Sequence, residues 1–329
     1  MTRFTLLATS LLLLSCGERS AQVPGPLGLP PVEAPANPAL VELGKKIFFD
    51  TRLSADNTLS CASCHNPSLG FADGRRLSLG VNQKTGTRNA PSLLNSAYGR
   101  LHFWDGRANS LEEQAGGPMS NTVEMNQSHD VSVRKLSADP ALASAFEQAF
   151  GSKAIDIDRI RRALAAYERT LLSGASPFDR YRYGGDKSAM SAAAIRGLAL
   201  FENPNKGNCA ACHLIGPKDA LFTDHLFHNL GVGLDEDGEP KDLGRYEVTK
   251  RDADRGAFKT PSLRNVALTA PYMHDGSIKS LRAVVDFYNG GGSSSPHLDP
   301  RIKPLGLSSA EVDDLVQFLE ALNGDLPSK

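Results

Sequence analysis

The sequence predicts a mainly α-helical chain built from two copies of one domain, and three observations carry that expectation. No alternating polar and apolar run long enough for a sheet appears, several segments place apolar residues at helical spacing, and the second half repeats landmarks of the first. Cys61-Ala62-Ser63-Cys64-His65 returns as Cys209-Ala210-Ala211-Cys212-His213. Pro91-Ser92-Leu93, Asp105-Gly106, Ser110 and Leu111 return as Pro261-Ser262-Leu263, Asp275-Gly276, Ser280 and Leu281, all at one offset of 170 residues. Matches held at a fixed offset over such a span are the mark of duplication.

Taken in order, residues 1–16 combine a basic start with an apolar run too short to span a membrane, which is the pattern of an export signal. The run ends Leu13-Leu14-Ser15-Cys16-Gly17, similar to a bacterial lipobox, so Cys16 is expected as the lipidated first residue of a periplasmic protein. Residues 17–36, rich in Pro, Gly and Ala, are expected to form a flexible tether. The first domain, residues 37–185, opens with a helix: Asn37 caps, Pro38 suits the first turn, and Leu40, Leu43 and Ile47 share a face. Gly44 stands four residues before Phe48 as Gly197 stands four before Phe201.

Ile155 to Leu172 carries apolar residues at helical spacing, and the stretch from Ser173 to Lys187 reads as the boundary to a second domain, residues 186–329. The second copy holds surplus residues from Gly231 to Gly256, expected as a solvated loop; its Asp235-Glu236-Asp237-Gly238 lacks the full EF-hand spacing and reads as a turn. Ser308 with Glu311 three residues on, ahead of Leu315, Phe318 and Leu319, is a capping box that starts a closing helix. With Lys and Arg totalling 36 against 37 Asp and Glu, the chain has no electrostatic footprint for nucleic acid.

The repeated motif carries the chemistry. Two cysteines three apart followed at once by histidine is the attachment signature of a c-type haem. The thiols of Cys61 and Cys64 add to the vinyl groups and His65 reaches the iron; Cys209, Cys212 and His213 do the same for a second haem. Structural zinc would want another ligand pair at knuckle spacing, and a redox C-x-x-C does not need the histidine. The fold class expected is therefore mainly α with two cytochrome-c-like domains, each with one covalent haem. Five cysteines divide into four haem thiols and Cys16, which leaves none for a disulfide.

The offset also compares the distal sides. Tyr288 maps to Pro118, and a phenolate can ligate iron where proline cannot. Met273, a thioether of the kind usual in electron-transfer cytochromes, is the rival ligand and maps to Phe103. On these residues alone Tyr288 and Met273 stay open. Trp104, the single tryptophan, maps to His274 and by default is a core aromatic. Glu124 follows Pro118 closely and could serve an open haem as acid and base, although a lone glutamate is more often solvated. His102, His129, His225, His228 and His297 have no partner at ligand spacing and default to surface or hydrogen-bonded roles.

From about Asn37 to Asn323 the chain resembles the bacterial dihaem cytochrome c peroxidases and their MauG-type relatives. The strings that carry the resemblance are C-A-S-C-H-N, T-R-N-A-P-S-L-L-N, F-W-D-G-R-A, V-E-M-N, C-A-A-C-H, K-T-P-S-L-R-N-V-A-L-T-A-P-Y-M-H-D-G-S and A-V-V-D-F-Y-N-G-G-G. The resemblance implies a peroxide-binding haem in the first domain and an electron-transfer haem in the second, with Trp104 between them. It implies Glu124 and Gln114 as distal polar groups beside Pro118, and Tyr288 rather than Met273 as sixth ligand of the second haem.

An interdomain calcium would involve Asn89, Thr269 and Pro271. The implied reaction is reduction of hydrogen peroxide to water with electrons from a periplasmic donor, a small cytochrome c or a cupredoxin; relatives are often dimers. Two departures matter. Where many relatives carry a histidine that blocks the peroxide haem, this chain has Val81, and where MauG carries a surface tryptophan before the second motif, it has Gly207.

Overall fold

A computed structural model describes residues 22–33 and 37–327 of the chain; Cys16 and the export segment lie outside them. The first half carries α1 (Pro38–Phe48), α2 (Cys61–Cys64), α3 (Leu111–Ser120), α4 (His129–Ser137), α5 (Pro140–Phe150) and α6 (Ile157–Glu168). The second carries α7 (Pro177–Arg182), α8 (Ala192–Glu202), α9 (Tyr246–Thr249), α10 (Leu281–Asn289) and α11 (Ser309–Glu320). Apart from isolated bridges, sheet among the described residues is confined to two antiparallel pairs of two-residue strands, β1 (Gln22–Val23) with β2 (Val32–Glu33) and β3 (Phe227–His228) with β4 (Phe258–Lys259).

The helices start where the capping chemistry places them. Asn37 Oδ1 accepts from the Ala39 amide at 2.9 Å, and Ser308 and Glu311 close a reciprocal capping box. Each half then packs an opening helix across a closing one. A Cβ on Gly44 would lie 1.9 Å from the Ala163 carbonyl oxygen, and one on Gly197 would lie 2.0 Å from that of Asp314. Only glycine lets α1 meet α6, and α8 meet α11, this closely. Around the first crossing Leu43, Ile47, Phe48, Phe146 and Ile160 are buried; around the second lie Phe178, Phe201, Phe222 and Phe318.

The duplication extends to backbone conformations that non-glycine residues seldom adopt. Phe71 and Phe222 have φ of 57° and 52°, Asn95 and Asn265 of 62° and 59°, Phe103 and Met273 of 65° and 73°. The halves also meet reciprocally. The Asn89 amide donates to the His274 carbonyl at 2.7 Å, and the Lys259 amide to the Trp104 carbonyl at 2.8 Å, the same bond with the halves exchanged. Arg76 Nε on the Asp275 carbonyl (3.2 Å) and Arg245 Nη1 on that of Asp105 (2.9 Å) repeat the exchange. Such self-complementary contact is the pattern of a two-fold interface.

Three expectations need correction. Residues 22–33 are not a free tether: Leu29 is buried, Tyr98 Oη donates to the Pro30 carbonyl at 2.9 Å, and the Gly28 carbonyl accepts from Arg264 Nη2 at 2.5 Å. This strap therefore touches both halves, because its carbonyls find donors that composition does not reveal. The boundary falls earlier than 185, since Phe178 of α7 lies in the second core and Asp179 of α7 pairs with buried Arg264 at 2.8 Å. The surplus loop is not merely solvated: Asp242 binds Arg88 at 2.7 Å and Arg245 reaches Asp105 and Gly106, so it clasps the first half. Asp235 does form a plain turn, its Oδ1 accepting from the Asp237 and Glu239 amides.

Candidate functional site

One cavity of about 1610 Å³ runs between the halves and is lined by Cys61, Cys64 and His65 on one side and Cys209, Cys212 and His213 on the other. The first motif is a single helical turn, α2, and the second a 3-10 turn, Cys209–Ala211. Each histidine is oriented alike: His65 Nδ1–H donates to the Phe71 carbonyl at 3.1 Å and His213 Nδ1–H to the Phe222 carbonyl at 2.9 Å. The left-handed φ of those two phenylalanines turns the carbonyls to the rings. Nδ1 occupied in this way leaves Nε2 as the free lone pair for a metal, and burial lowers both imidazole pKa values, which favours the neutral ring. Burial pushes the Cys61 and Cys209 thiols up to about 12, so neither is a thiolate nucleophile.

Elsewhere on the cavity wall the halves differ. Ser110 caps α3 through the Glu113 amide at 3.1 Å and Ser280 caps α10 through the Ala283 amide at 3.2 Å, so Pro118 and Tyr288 occupy matching positions on matching helices. Both line the cavity, as do Phe103 and Met273. Burial pushes the Tyr288 phenol upward, and the anionic form therefore needs a cation beside it.

Glu124 lines the first side with Gln114, its Oε1 accepting from Asn121 Nδ2 at 2.5 Å and its backbone carbonyl accepting from the Val81 amide at 2.8 Å. Burial raises the Glu124 pKa, with the Asn121 bond and the Arg107 charge opposing. Val81 itself is buried at 3 % exposure and holds the Glu124 loop through its backbone. Trp104 lies at the seam, its Nε1–H donating to the Asn89 carbonyl at 2.9 Å.

Other expected residues are placed as follows. Asn89, Thr269 and Pro271 all line the cavity, where Asn89 Nδ2 donates to the Arg75 carbonyl at 2.8 Å and Thr269 Oγ1 to the Val266 carbonyl at 3.1 Å. These three supply no carboxylate, so a cation there would rest on amide and carbonyl oxygens. His228 is hydrogen-bonded, as its default role predicts, bridging Asp224 at 2.9 Å and Asp299 at 2.8 Å. A Cβ on Gly207 would lie 2.3 Å from the Leu200 carbonyl oxygen, so this backbone does not admit a tryptophan there.

Sequence reasoning missed two cavity residues, Lys259 and Glu168. The repeat could have flagged both, because Lys259 stands at the counterpart of Asn89 and Glu168 at that of Leu319. Glu168 is 4 % exposed, its Oε2 has no hydrogen-bond partner, and burial pushes it up to about 8.

A helical pair of halves that presents two C-x-x-C-H turns to one cavity has the donor set of a duplicated redox protein. The comparisons give that class its family. The di-haem cytochrome c peroxidase family matches residues 38–188. The chain is 45 % identical to the methylamine utilization protein MauG of Methylorubrum extorquens over 90 % of this chain and 81 % of that one. It is 37 % identical to the cytochrome c551 peroxidase of Nitrosomonas europaea over 98 % and 91 %.

Among solved structures, a MauG-like protein associated with microbial copper homeostasis superposes with a TM-score of 0.81 at 31 % identity, covering 94 % of this chain and 95 % of that one. The diheme peroxidase BthA of Burkholderia thailandensis gives 0.74 at 28 %, covering 94 % and 95 %. The chain belongs to the di-haem cytochrome c peroxidase family, and it is an oxidoreductase. Haem is the cofactor that membership implies. The donor set fits it, since paired thiols and a histidine with a free Nε2 recur on both sides of a cavity of the right scale. Among the described residues, no helix is long and apolar enough to cross a membrane.

Proposed function

We propose that the chain holds two covalent haems, one through Cys61, Cys64 and His65 and one through Cys209, Cys212 and His213, and reduces hydrogen peroxide to water. The observation that carries this reading is the Pro118 and Tyr288 pair: matching helices offer one side no distal ligand and the other a phenol. Bound haem would supply the iron at which peroxide takes up two electrons, and with two protons the products are two waters. Glu124, desolvated but tethered by Asn121, takes the proton from one peroxide oxygen and returns it to the leaving oxygen. Gln114 orients peroxide beside it. Pro118 keeps the distal face free of side-chain ligands, and Val81 cannot block it. Trp104, hydrogen-bonded at the seam, carries electrons from the second side to the first. Tyr288 would be the further residue that holds the iron on that second side, with Met273 as the rival.

The donor is a periplasmic cytochrome c or cupredoxin. One calcium at Asn89, Thr269 and Pro271, a lipid anchor at Cys16 and a homodimer complete the reading. The test is rapid mixing of the fully ferric protein with one equivalent of hydrogen peroxide. A fast change in the haem spectra without prior reduction is expected; an inert ferric protein would mean that the first side is blocked. A MauG-type oxidation of a protein or aromatic substrate is the second reading, favoured by Tyr288 at the distal position. The crowded Gly207 backbone speaks against the surface-tryptophan route to such a substrate.

A further inference from the structure

Among the described residues Lys259 has no counter-ion, and it stands on the wall of the cavity between the halves. It leaves β4 in the second half, yet its Nζ donates to the Leu101 carbonyl of the first half at 2.9 Å while its own amide holds the Trp104 carbonyl at 2.8 Å. It thus brackets the turn that carries Trp104. The side chain lines the shared cavity together with the imidazoles of His102 and His225. No carboxylate pairs with it among the described residues. Burial brings the ammonium down to about 8, and it in turn helps hold His102 down to about 4, behind the larger effect of burial.

On the cavity wall Asp105 and Asp242 share Arg88 at 2.5 and 2.7 Å, and Glu168, which has no ion pair among the described residues, adds no charge shift to Lys259. The counterpart position holds neutral Asn89, whose amide is turned to the Arg75 carbonyl. A half-buried, partly desolvated ammonium beside two imidazoles, with no carboxylate paired to it, is costly unless the cavity's occupant is itself anionic. Haem carries two carboxylates on the edge remote from its vinyl carbons, so an occupant tied by thioethers brings the required charge.

We propose that Lys259, with His102 and His225, is a cross-domain binding site for a haem carboxylate, and that its positive charge raises the reduction potential of the haem it holds. The proposal rests on the two-haem reading above. A cation nearby favours the reduced haem, which carries one positive charge fewer on iron. It is a positioning residue, so activity alone would not test it.

The experiment is a spectroelectrochemical titration of the full holoprotein, with haem content measured first as the pyridine haemochrome, for wild type, Lys259→Met and Lys259→Arg. With two haems loaded, Lys259→Met should lower the potential of one haem by an amount equal to about a tenfold change in its reduction equilibrium, 59 mV for one electron, and Lys259→Arg should restore most of it. Unchanged potentials in a fully loaded Lys259→Met protein overturn the proposal. Wild-type protein without haem c would instead overturn the reading beneath it. If Lys259→Met does not accumulate, Lys259→Gln replaces it, with the same downward shift in support and an unmoved potential against.

Discussion

The two halves of the chain share their scaffold and differ at the cavity. Capping serines, crossing glycines, the carbonyl that orients each histidine and the left-handed residues recur in both. Around the cavity the C-x-x-C-H residues also recur, while others have diverged: Pro118 against Tyr288, Trp104 against His274, Asn89 against Lys259, Leu94 against Arg264, Glu168 against Leu319. Duplication has kept the backbone and the thiol and imidazole donors and released much of the wall around them. Fold and chemistry are therefore separable here, position by position.

That contrast can be broken most completely at Pro118. Pro118→Tyr should give the first side the phenol that the second already has and abolish carbon monoxide and cyanide binding, which a ligand titration of wild type and variant would read. Retained binding would mean that position on α3 does not set access. Next in size, Glu124→Gln should slow peroxide reduction roughly 10²–10⁴-fold, the range for a lost acid-base group, in stopped-flow mixing. Because burial raises the Glu124 pKa and the first proton transfer needs the ionised form, wild-type rates should fall as pH drops through a value above that of an ordinary glutamate. The Gln variant should lack that limb.

Stability sharpens the same comparison. Arg264 is 1 % and Asp179 0 % exposed, so Arg264→Met strands a buried carboxylate at a cost of about 3–5 kcal/mol by chemical denaturation. At the matching position, Leu94→Met should cost less than about 1.5 kcal/mol. Equal losses would show that the charge pair carries no special weight.

A change of slope rather than level is expected at Glu168. Its folded pKa, about 8, lies above that of an unfolded glutamate, so the folded state holds the extra proton. Stability is then fully present below the ordinary carboxyl range and is lost as pH rises towards about 8. Glu168→Gln should flatten that decline in a series of thermal melts, and an unaltered slope would place the titration elsewhere.

Much of this was legible in the residues. Asn37, Ser308 and Glu311 announce helix starts through local chemistry, and the 170-residue offset aligned Pro118 with Tyr288 because no gap falls between Leu111 and Pro118 or between Leu281 and Tyr288. The misses are long-range. Gly28 meets Arg264 across 236 residues, and neither residue's neighbours in sequence hint at it. Phe178 looked like part of a polar boundary because a single aromatic in a Ser- and Gly-rich stretch has no period to read. Lys259 was hidden inside a string that resemblance had already explained.

The reciprocal bonds between the halves describe a contact that a single ancestral domain could make with a second copy of itself. In such a homodimer, every residue must serve on both sides of the axis, so no position can be proline at one site and tyrosine at the other. Joining the copies in one gene lifts that constraint. The fused chain keeps the dimer's handshake in Asn89 to His274 and Lys259 to Trp104, and uses its freedom to set proline on one side of the cavity and tyrosine on the other.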